Sequence, residues 1–160
     1  MENQRKMGIK NMDEGKSVSN MFKSKQQNWQ TPKDFYDKLN YEFNFDFDPC
    51  PVNPTFNGLE IEWGQRNFIN PPYKTMLAWI KKGLKEYQKG KLSVFLLPVR
   101  TETKYFHELI LPNAEVRFVR GKLKFGAPDS KLPESEWCPA PFASMLVIFN
   151  PNKNEGDKKC

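Results

Sequence analysis

The feature of the sequence that most constrains its fold is a near-continuous apolar run over Ser93–Leu97, which Pro98 closes. A strand that is apolar at successive positions is buried on both faces, as in sheets that carry helices on both sides. Apolar residues also recur at spacings of three or four over residues 77–87, a helical pattern that Gly90 ends. We therefore predict an α/β fold in which helices cover both faces of a central sheet.

A helix and two short strands are predicted ahead of this run. Thr31-Pro32 provides an N-cap residue followed by a proline at the first helical position, so a helix is predicted to begin there. Aromatic and polar residues alternate over Phe43–Asp48, which predicts a strand that ends at Asp48, and Asn67–Ile69 predicts a second strand that runs into Asn70. Because ligands in open α/β sheets bind at the carboxyl ends of strands, Asp48 and Asn70 are the first candidate site residues.

Further elements are predicted in the second half of the chain. Thr101 can cap a short helix, and a last strand is predicted at Met145–Phe149. Two strands at Val116–Val119 and Leu123–Phe125, joined near Gly121, predict an antiparallel hairpin. The sheet is therefore expected to be mixed.

The polar composition of both chain ends sets the domain boundaries. Residues 1–26 and 151–160 have no apolar periodicity and are expected to be flexible tails around one domain at residues 27–150. No apolar run approaches the roughly 18 residues that a membrane span needs, so we expect a soluble, cytoplasmic protein. Three cysteines without a C-x-x-C spacing and a single histidine predict neither a disulfide framework nor a metal site.

Charge is segregated along the chain. Residues 29–73 contain three Lys/Arg and seven Asp/Glu, residues 74–124 contain twelve and four, and residues 125–150 contain one and three. The cationic middle segment predicts phosphate contacts, which give salt-dependent affinity for nucleic acid without reading base identity. The alternative is that its lysines over residues 81–89 are only the solvated face of one helix.

Asn70-Pro71-Pro72-Tyr73 is the most specific motif, and it lies between a predicted strand and a predicted helix. The Asn side-chain oxygen and the backbone carbonyl of a proline can each accept one hydrogen of an aromatic amine, which favours lone-pair density on its nitrogen. The tyrosine ring can stack on the base. The motif predicts chemistry on an amino group, and the alternative is a rigid turn before a helix.

This motif is one of several that, in order, resemble the phage-type DNA N-6-adenine methyltransferases (Dam), a family that depends on S-adenosylmethionine. The resemblance covers about residues 21–149 and implies a compact, Rossmann-like class I methyltransferase fold: a three-layer α/β sandwich with a mixed sheet and a C-terminal antiparallel hairpin. The segments that carry it are Met21–Lys25, Trp29–Pro32, Phe47–Cys50, Trp63, Asn70–Tyr73, Leu97–Thr103, Phe106–His107, Val116–Phe125 and Ala140–Ser144.

The resemblance implies methyl transfer from S-adenosylmethionine to the N6 amino group of adenine in double-stranded DNA, with the base flipped out of the stack. This reaction requires no metal, and the sequence shows no evident obligate protein partner. The resemblance also implies the cytoplasm of a bacterial host as the location if the protein is phage-encoded. The implied catalytic residues are Asn70, Pro71, Pro72 and Tyr73. The implied cofactor contacts are Trp29, Thr31, Pro32, Asp48, Pro49, Cys50, Glu62 and Asn70.

Within that set, Asp48 suits the cationic amino group of the cofactor, whereas Glu62 is chosen as the acid for the cofactor ribose. The turn after Asp48 contains no G-x-G and so predicts no phosphate cradle. The candidate DNA contacts are Arg100, Lys104, Arg117, Arg120, Lys122 and Lys124, of which the last four lie along the predicted hairpin.

Two alternatives stay open at the level of sequence. The acceptor could be cytosine N4, RNA or another amide-like nitrogen, because the tetrapeptide recognises an amino group and not a whole base. The chain could also be a catalytically silent DNA-binding module that keeps the fold, which would bind DNA but no cofactor.

Overall fold

The computed structural model describes residues 28–153. The tail predicted at residues 1–26, and all but the first three residues of the tail predicted at 151–160, lie outside the described residues. The described residues form two α-helices, α1 (Lys33–Phe43) and α2 (Met76–Gln88). They also form short 3-10 turns at Tyr73–Thr75 and Glu134–Glu136 and a π-helix at Phe106–Ile110. The strands are β1 (Arg66–Ile69), β2 (Leu92–Pro98), β3 (Glu115–Phe118), β4 (Lys124–Phe125), β5 (Cys138–Pro139) and β6 (Ser144–Phe149).

Four of the strands form one mixed sheet in the order β1-β2-β6-β3. β1 and β2 are parallel, and β6 is antiparallel to both β2 and β3. Consequently β1, β2 and β3 all end at the same edge, after Ile69, Pro98 and Phe118, where β6 begins at Ser144. We call this side of the sheet the carboxyl edge and the opposite side the amino edge.

Helices cover both faces of this sheet. β2 is buried along its whole length, which confirms the central strand predicted from its apolar run. Val94 lies in the core that contains Leu39 of α1, whereas its neighbour Phe95 lies in the core that contains Ile80 of α2. Successive side chains of a strand point to opposite faces, so one apolar run supplies both cores. The expected mixed α/β architecture is confirmed.

The strand predicted at Phe43–Asp48 is wrong. α1 extends to Phe43, and Asn44 then takes a left-handed conformation with φ of 52°, which ends the helix. Beyond it, Phe47 forms an isolated parallel β-bridge with β1. The aromatic alternation that suggested a strand reflects packing, because Phe43 and Phe45 stack with ring centroids 5.9 Å apart beside the α1 core.

The hairpin predicted over Val116–Phe125 is also wrong. β3 pairs with β6 in the main sheet, whereas β4 pairs with β5 in a separate two-stranded sheet. The buried strand β6 pairs with β2 on one side and with β3 on the other. Gly121, with φ of 76°, lies in the turn between β3 and β4. Lys124, the last residue of the cationic segment 74–124, therefore lies beside β5.

The helix predicted after Thr101 forms as a π-helix. The backbone N–H of Leu111 donates to Phe106 O at 2.9 Å, and Phe106 and Ile110 are buried in the α2 core. Thr101 is not its cap, because the helical backbone begins at Lys104, three residues later, and no side chain caps the π-helix.

Residues 28–153 contain no helix long and apolar enough to cross a membrane. The same residues contain no group of three or more His, Cys, Asp or Glu that could hold a metal ion.

Candidate active site

The turn that follows β1 places Asn70 at the carboxyl edge. Asn70 and Pro71 are buried, and the chain then passes through Pro72 and the 3-10 turn Tyr73–Thr75 into α2. Two successive prolines restrict the backbone of this turn. The motif joins a strand to a helix, as predicted, and leaves only 6% of Asn70 exposed.

The side-chain amide of Asn70 is fixed by two hydrogen bonds. Its Nδ2 donates to the backbone oxygen of Trp29 and to Oγ1 of Thr31, both at 3.1 Å. Both amide hydrogens are then used, and Oδ1 lies on the opposite side of the amide group. Among the described residues no donor reaches Oδ1, so it is available to accept a hydrogen from a ligand.

The segment Trp29–Thr31, which supplies these two acceptors, is also hydrogen-bonded to the chain that follows β4. Gln30 and Gly126 exchange two backbone hydrogen bonds, at 2.8 and 3.1 Å. α1 begins only at Lys33, because Pro32 has an extended ψ of 132° and occupies the N-cap position without a side-chain cap. Thr31 is therefore not the helix cap that the sequence predicted, and its hydroxyl contacts Asn70 instead.

A cavity of about 290 Å³ lies beside Asn70. It brings together residues that the sequence analysis chose at separate places in the chain, although the strand expected to carry one of them is not formed. These residues are Trp29, Thr31, Asp48, Cys50 and Asn70.

Asp48 lies in the wall of this cavity, and no cation of the described residues pairs with it. Lys33 also lines the cavity but pairs with Asp37. The backbone N–H of Cys50 donates to its Oδ1 at 2.8 Å. Burial raises the pKa of Asp48 to about 6, and this hydrogen bond offsets the rise only in part. Burial, with Asp48 beside it, also raises the pKa of the Cys50 thiol to about 12, so this thiol stays protonated near neutral pH.

A second cavity, of about 310 Å³, adjoins the first at Cys50 and is lined mainly by apolar groups that include Pro49, Phe56 and Trp79. Gly58 shapes this cavity. A Cβ atom at Gly58 would lie 1.9 Å from the carbonyl oxygen of Pro49 and 2.8 Å from the ring of Trp79. Only glycine permits this close approach, a requirement that the sequence alone did not indicate.

Tyr73 and Phe142 form an aromatic corner at the carboxyl edge. Their ring centroids lie 5.3 Å apart at an interplanar angle of 89°, an edge-to-face contact. Burial raises the pKa of the Tyr73 phenol, so the ring is neutral at physiological pH. Phe142 lies two residues before β6 and received no role from the sequence, although it lies in the Ala140–Ser144 segment that carried part of the resemblance.

The structure does not bring Glu62 to this site. Its Oε1 accepts a hydrogen bond from Nζ of Lys91 at 2.9 Å, and Lys91 lies at the amino edge, directly before β2. The same lysine lies 2.9 Å from Oε2 of Glu86, which is fully buried on α2 and also pairs with Lys82 at 2.8 Å. The expectation that Glu62 contacts the cofactor ribose is therefore corrected, because this residue belongs to an ion-pair cluster at the amino edge, opposite the cavity.

The candidate DNA contacts differ in what their charges already bind. Arg100 pairs with Glu102 at 2.6 Å, and Lys104 lies 3.7 Å from Glu108. Arg117 lies within β3 and pairs with Glu42 of α1 at 2.8 Å.

Two cations near the carboxyl edge differ from these. Arg120 follows β3, Lys122 follows the Gly121 turn, and both are exposed with no carboxylate partner among the described residues. Lys124, on β4, is exposed and reaches the backbone oxygen of Ser135 at 3.4 Å. The structure therefore leaves Arg120 and Lys122 as the most available cations of the candidate set.

A comparison with protein-family models matches residues 18–158 to the DNA N-6-adenine-methyltransferase (Dam) family. The chain belongs to this family. The match covers most of the chain and confirms the resemblance found in the sequence. Comparisons with curated proteins and with solved structures found no significant match. Membership in the Dam family implies DNA adenine methyltransferase activity and a DNA substrate, and methyltransferases of this kind generally use S-adenosylmethionine.

Proposed function

We propose that this protein transfers a methyl group from S-adenosylmethionine to the N6 amino group of adenine in double-stranded DNA, and that its four-stranded sheet is a compact Rossmann-like methyltransferase core. One observation carries the proposal. Asn70 is fixed at the carboxyl edge with an unengaged Oδ1, beside a cavity whose wall contains the half-buried Asp48.

The proposed role of Asn70 follows from the chemistry of the adenine amine. The nitrogen lone pair is delocalised into the ring, and it must become localised before it can attack. Hydrogen bonds from the amine to Oδ1 of Asn70 and to the backbone oxygen of Pro71 favour that localised form. They strengthen as positive charge develops on nitrogen, so they act mainly in the transition state.

The target base must leave the DNA stack to reach Asn70. We propose that Tyr73 stacks on the extruded base and that Phe142 holds the Tyr73 ring in place through their edge-to-face contact. Arg120 and Lys122 would contact phosphates of the flanking DNA, which gives affinity without base identity.

The residues around the two cavities fit the proposed cofactor. Bound S-adenosylmethionine supplies an electrophilic methyl group on a cationic sulfonium. Asp48 would bind its positively charged amino group. Trp29 lines the same cavity as Asp48, so its side chain would contact the bound cofactor. Cys50 lines both cavities and, as a protonated thiol, acts by packing and not as a nucleophile.

A methyl-transfer assay tests the proposal. The protein is incubated with adenine-rich or cytosine-rich duplex DNA and with S-adenosylmethionine labelled in its methyl group, and the nucleosides are then separated. We expect label in N6-methyladenine. Label in N4-methylcytosine, or in RNA alone, would replace the proposed acceptor, and DNA binding without cofactor binding would indicate a silent module.

The Asn70→Ala variant shows whether the motif is catalytic. We expect a folded protein that binds DNA and cofactor but has almost no turnover, because the lost hydrogen bond acts mainly in the transition state. A lower melting temperature with unchanged turnover per folded molecule would make the motif a structural turn and would reject this role.

A further inference from the structure

We propose that Thr31 is a positioning residue that, together with the backbone carbonyl of Trp29, makes position 70 selective for an amide over an acid. This inference rests on the proposed function. It assigns Thr31 to the orientation of Asn70, which differs from the cofactor contact implied by the family resemblance.

The selectivity follows from what the two partners of Asn70 can do. The Trp29 carbonyl oxygen, 3.1 Å from Nδ2, can only accept a hydrogen, so the group that faces it must be a donor. An amide nitrogen satisfies both acceptors and directs Oδ1 to the opposite side. An ionised aspartate at position 70 would place a carboxylate oxygen against the carbonyl oxygen, and the two would repel each other.

The acceptors cannot easily move to accommodate such a change. Besides the two backbone hydrogen bonds between Gln30 and Gly126, Nε2 of Gln30 donates to Ala127 O at 2.6 Å. Gly126 is itself covered by Trp137, whose ring would lie 2.5 Å from a Cβ added at this glycine. The peptide groups around Gln30 are therefore fixed by the segment that directly follows β4, and Asn70 must match them.

Thr31→Val and Thr31→Ser form a matched pair of variants. Valine keeps the branched shape but has no hydroxyl, which leaves one buried amide hydrogen of Asn70 without an acceptor. We expect kcat of Thr31→Val to fall about ten- to a hundredfold, with KM for DNA changed by no more than about twofold. Thr31→Ser keeps the acceptor and should restore most of kcat. Loss of affinity for the cofactor with unchanged kcat would instead make Thr31 a cofactor contact and overturn the proposal.

The Asn70→Asp variant tests the selectivity itself. Near neutral pH we expect kcat at saturating cofactor to fall about a hundredfold or more. The ratio of variant to wild-type kcat should rise toward about pH 5, because a protonated aspartate can donate to the Trp29 carbonyl. Asn113→Asp is the matched control: its Nδ2 donates to the backbone oxygen of Leu109 at 2.9 Å, and this residue lines a different cavity, near the start of β3. It should leave kcat and its pH profile unchanged.

Nuclear magnetic resonance gives a readout that needs no activity. In the wild type both side-chain amide protons of Asn70 should exchange slowly, and one of them should exchange faster in Thr31→Val. Equal exchange in the two proteins, or equal kcat for Asn70→Asp and wild type, would overturn this inference while leaving the proposed function intact. A folded wild type that methylates no DNA would overturn the proposed function, and with it this inference.

Discussion

Replacing Asp48 with Asn tests whether this half-buried carboxylate binds the cationic amino group of the cofactor. In the ligand-free protein, burial raises the pKa of Asp48 from 3.8 to about 6. At about 1.4 kcal/mol per pKa unit, ionising this group in the folded protein costs about 3 kcal/mol more than in the unfolded chain. A cation bound beside the carboxylate would recover much of that cost, so cofactor binding and loss of the Asp48 proton are linked.

This linkage sets the expected dependence on pH. Below pH about 6 the wild type must release a proton to bind the cofactor, so affinity should fall about tenfold for each further pH unit, and it should level off between pH about 6 and 7. Asp48→Asn has no proton to release. It should bind about ten- to a hundredfold more weakly at pH 7 and show no such slope, because it lacks the charge-assisted interaction.

The same shift predicts an unusual effect on stability. A raised pKa in the folded state means that the protonated form of Asp48 favours folding below pH about 3.8, and that this contribution is lost as pH rises through about 6. Without cofactor at pH 7, Asp48→Asn should therefore be more stable than the wild type, by up to about 3 kcal/mol in the free energy of unfolding.

Isothermal titration calorimetry with S-adenosylmethionine between pH 5 and 8, and urea unfolding without it, measure both effects. Asp46→Asn is the control, because Asp46 lies two residues away, is exposed, and accepts the backbone N–H of Arg66. It should keep the wild-type slope. A wild-type affinity that does not change with pH, or the same slope in Asp48→Asn, would refute the assignment of Asp48.

Four other residues give independent predictions. Tyr73→Phe should keep most methyl-transfer activity, whereas Tyr73→Ala should lose about 1 to 3 kcal/mol of transition-state stabilisation; equal losses would reject stacking. Gly58→Ala should displace the turn after Asp48 and weaken cofactor binding in calorimetry, and wild-type affinity would show that this close approach does not shape the cofactor site. Arg120→Ala should reduce the salt dependence of DNA binding, followed by fluorescence anisotropy, by about one unit of slope; an unchanged slope would leave Arg120 as a solvated side chain. Glu86→Gln should cost about 3 to 5 kcal/mol in urea unfolding at pH 7, because it leaves two lysines without a buried carboxylate. Burial alone would raise the pKa of Glu86, but its lysine partners lower it to about 2. The stabilisation that ionised Glu86 gives the folded protein is therefore present above pH about 4.5 and is lost as pH falls through about 2. A variant with the wild-type free energy of unfolding at pH 7 would contradict this prediction.

The central strand and the strand-to-helix motif were predictable because each depends on a local pattern. The apolar run of β2 must be buried on both faces wherever it occurs in a fold. Asn70-Pro71-Pro72-Tyr73 is stiff enough to impose its own turn, and its residue types already indicate an amino-group acceptor. The family was also identifiable from the sequence, since the order of its motifs does not depend on how they pack.

Local patterns misled where packing decided between two local structures. The alternation at Phe43–Asp48 resembles a strand, yet α1 continues to Phe43 because the aromatic rings can pack on the sheet from a helix and the loop after it. The Val116–Phe125 hairpin was equally plausible locally, but β6 offered β3 a longer buried partner than β4 could.

What the sequence by itself determined, then, is which groups are present and what chemistry they can perform. The tertiary structure decided where each one acts. Asn70 is oriented by partners 41 and 39 positions away in the chain, and Glu62, close to the motif in sequence, is drawn to the opposite edge of the sheet by Lys91. The physical reason is that hydrogen bonds and ion pairs depend on distances of about 3 Å between groups whose separation along the chain carries no information about their separation in space.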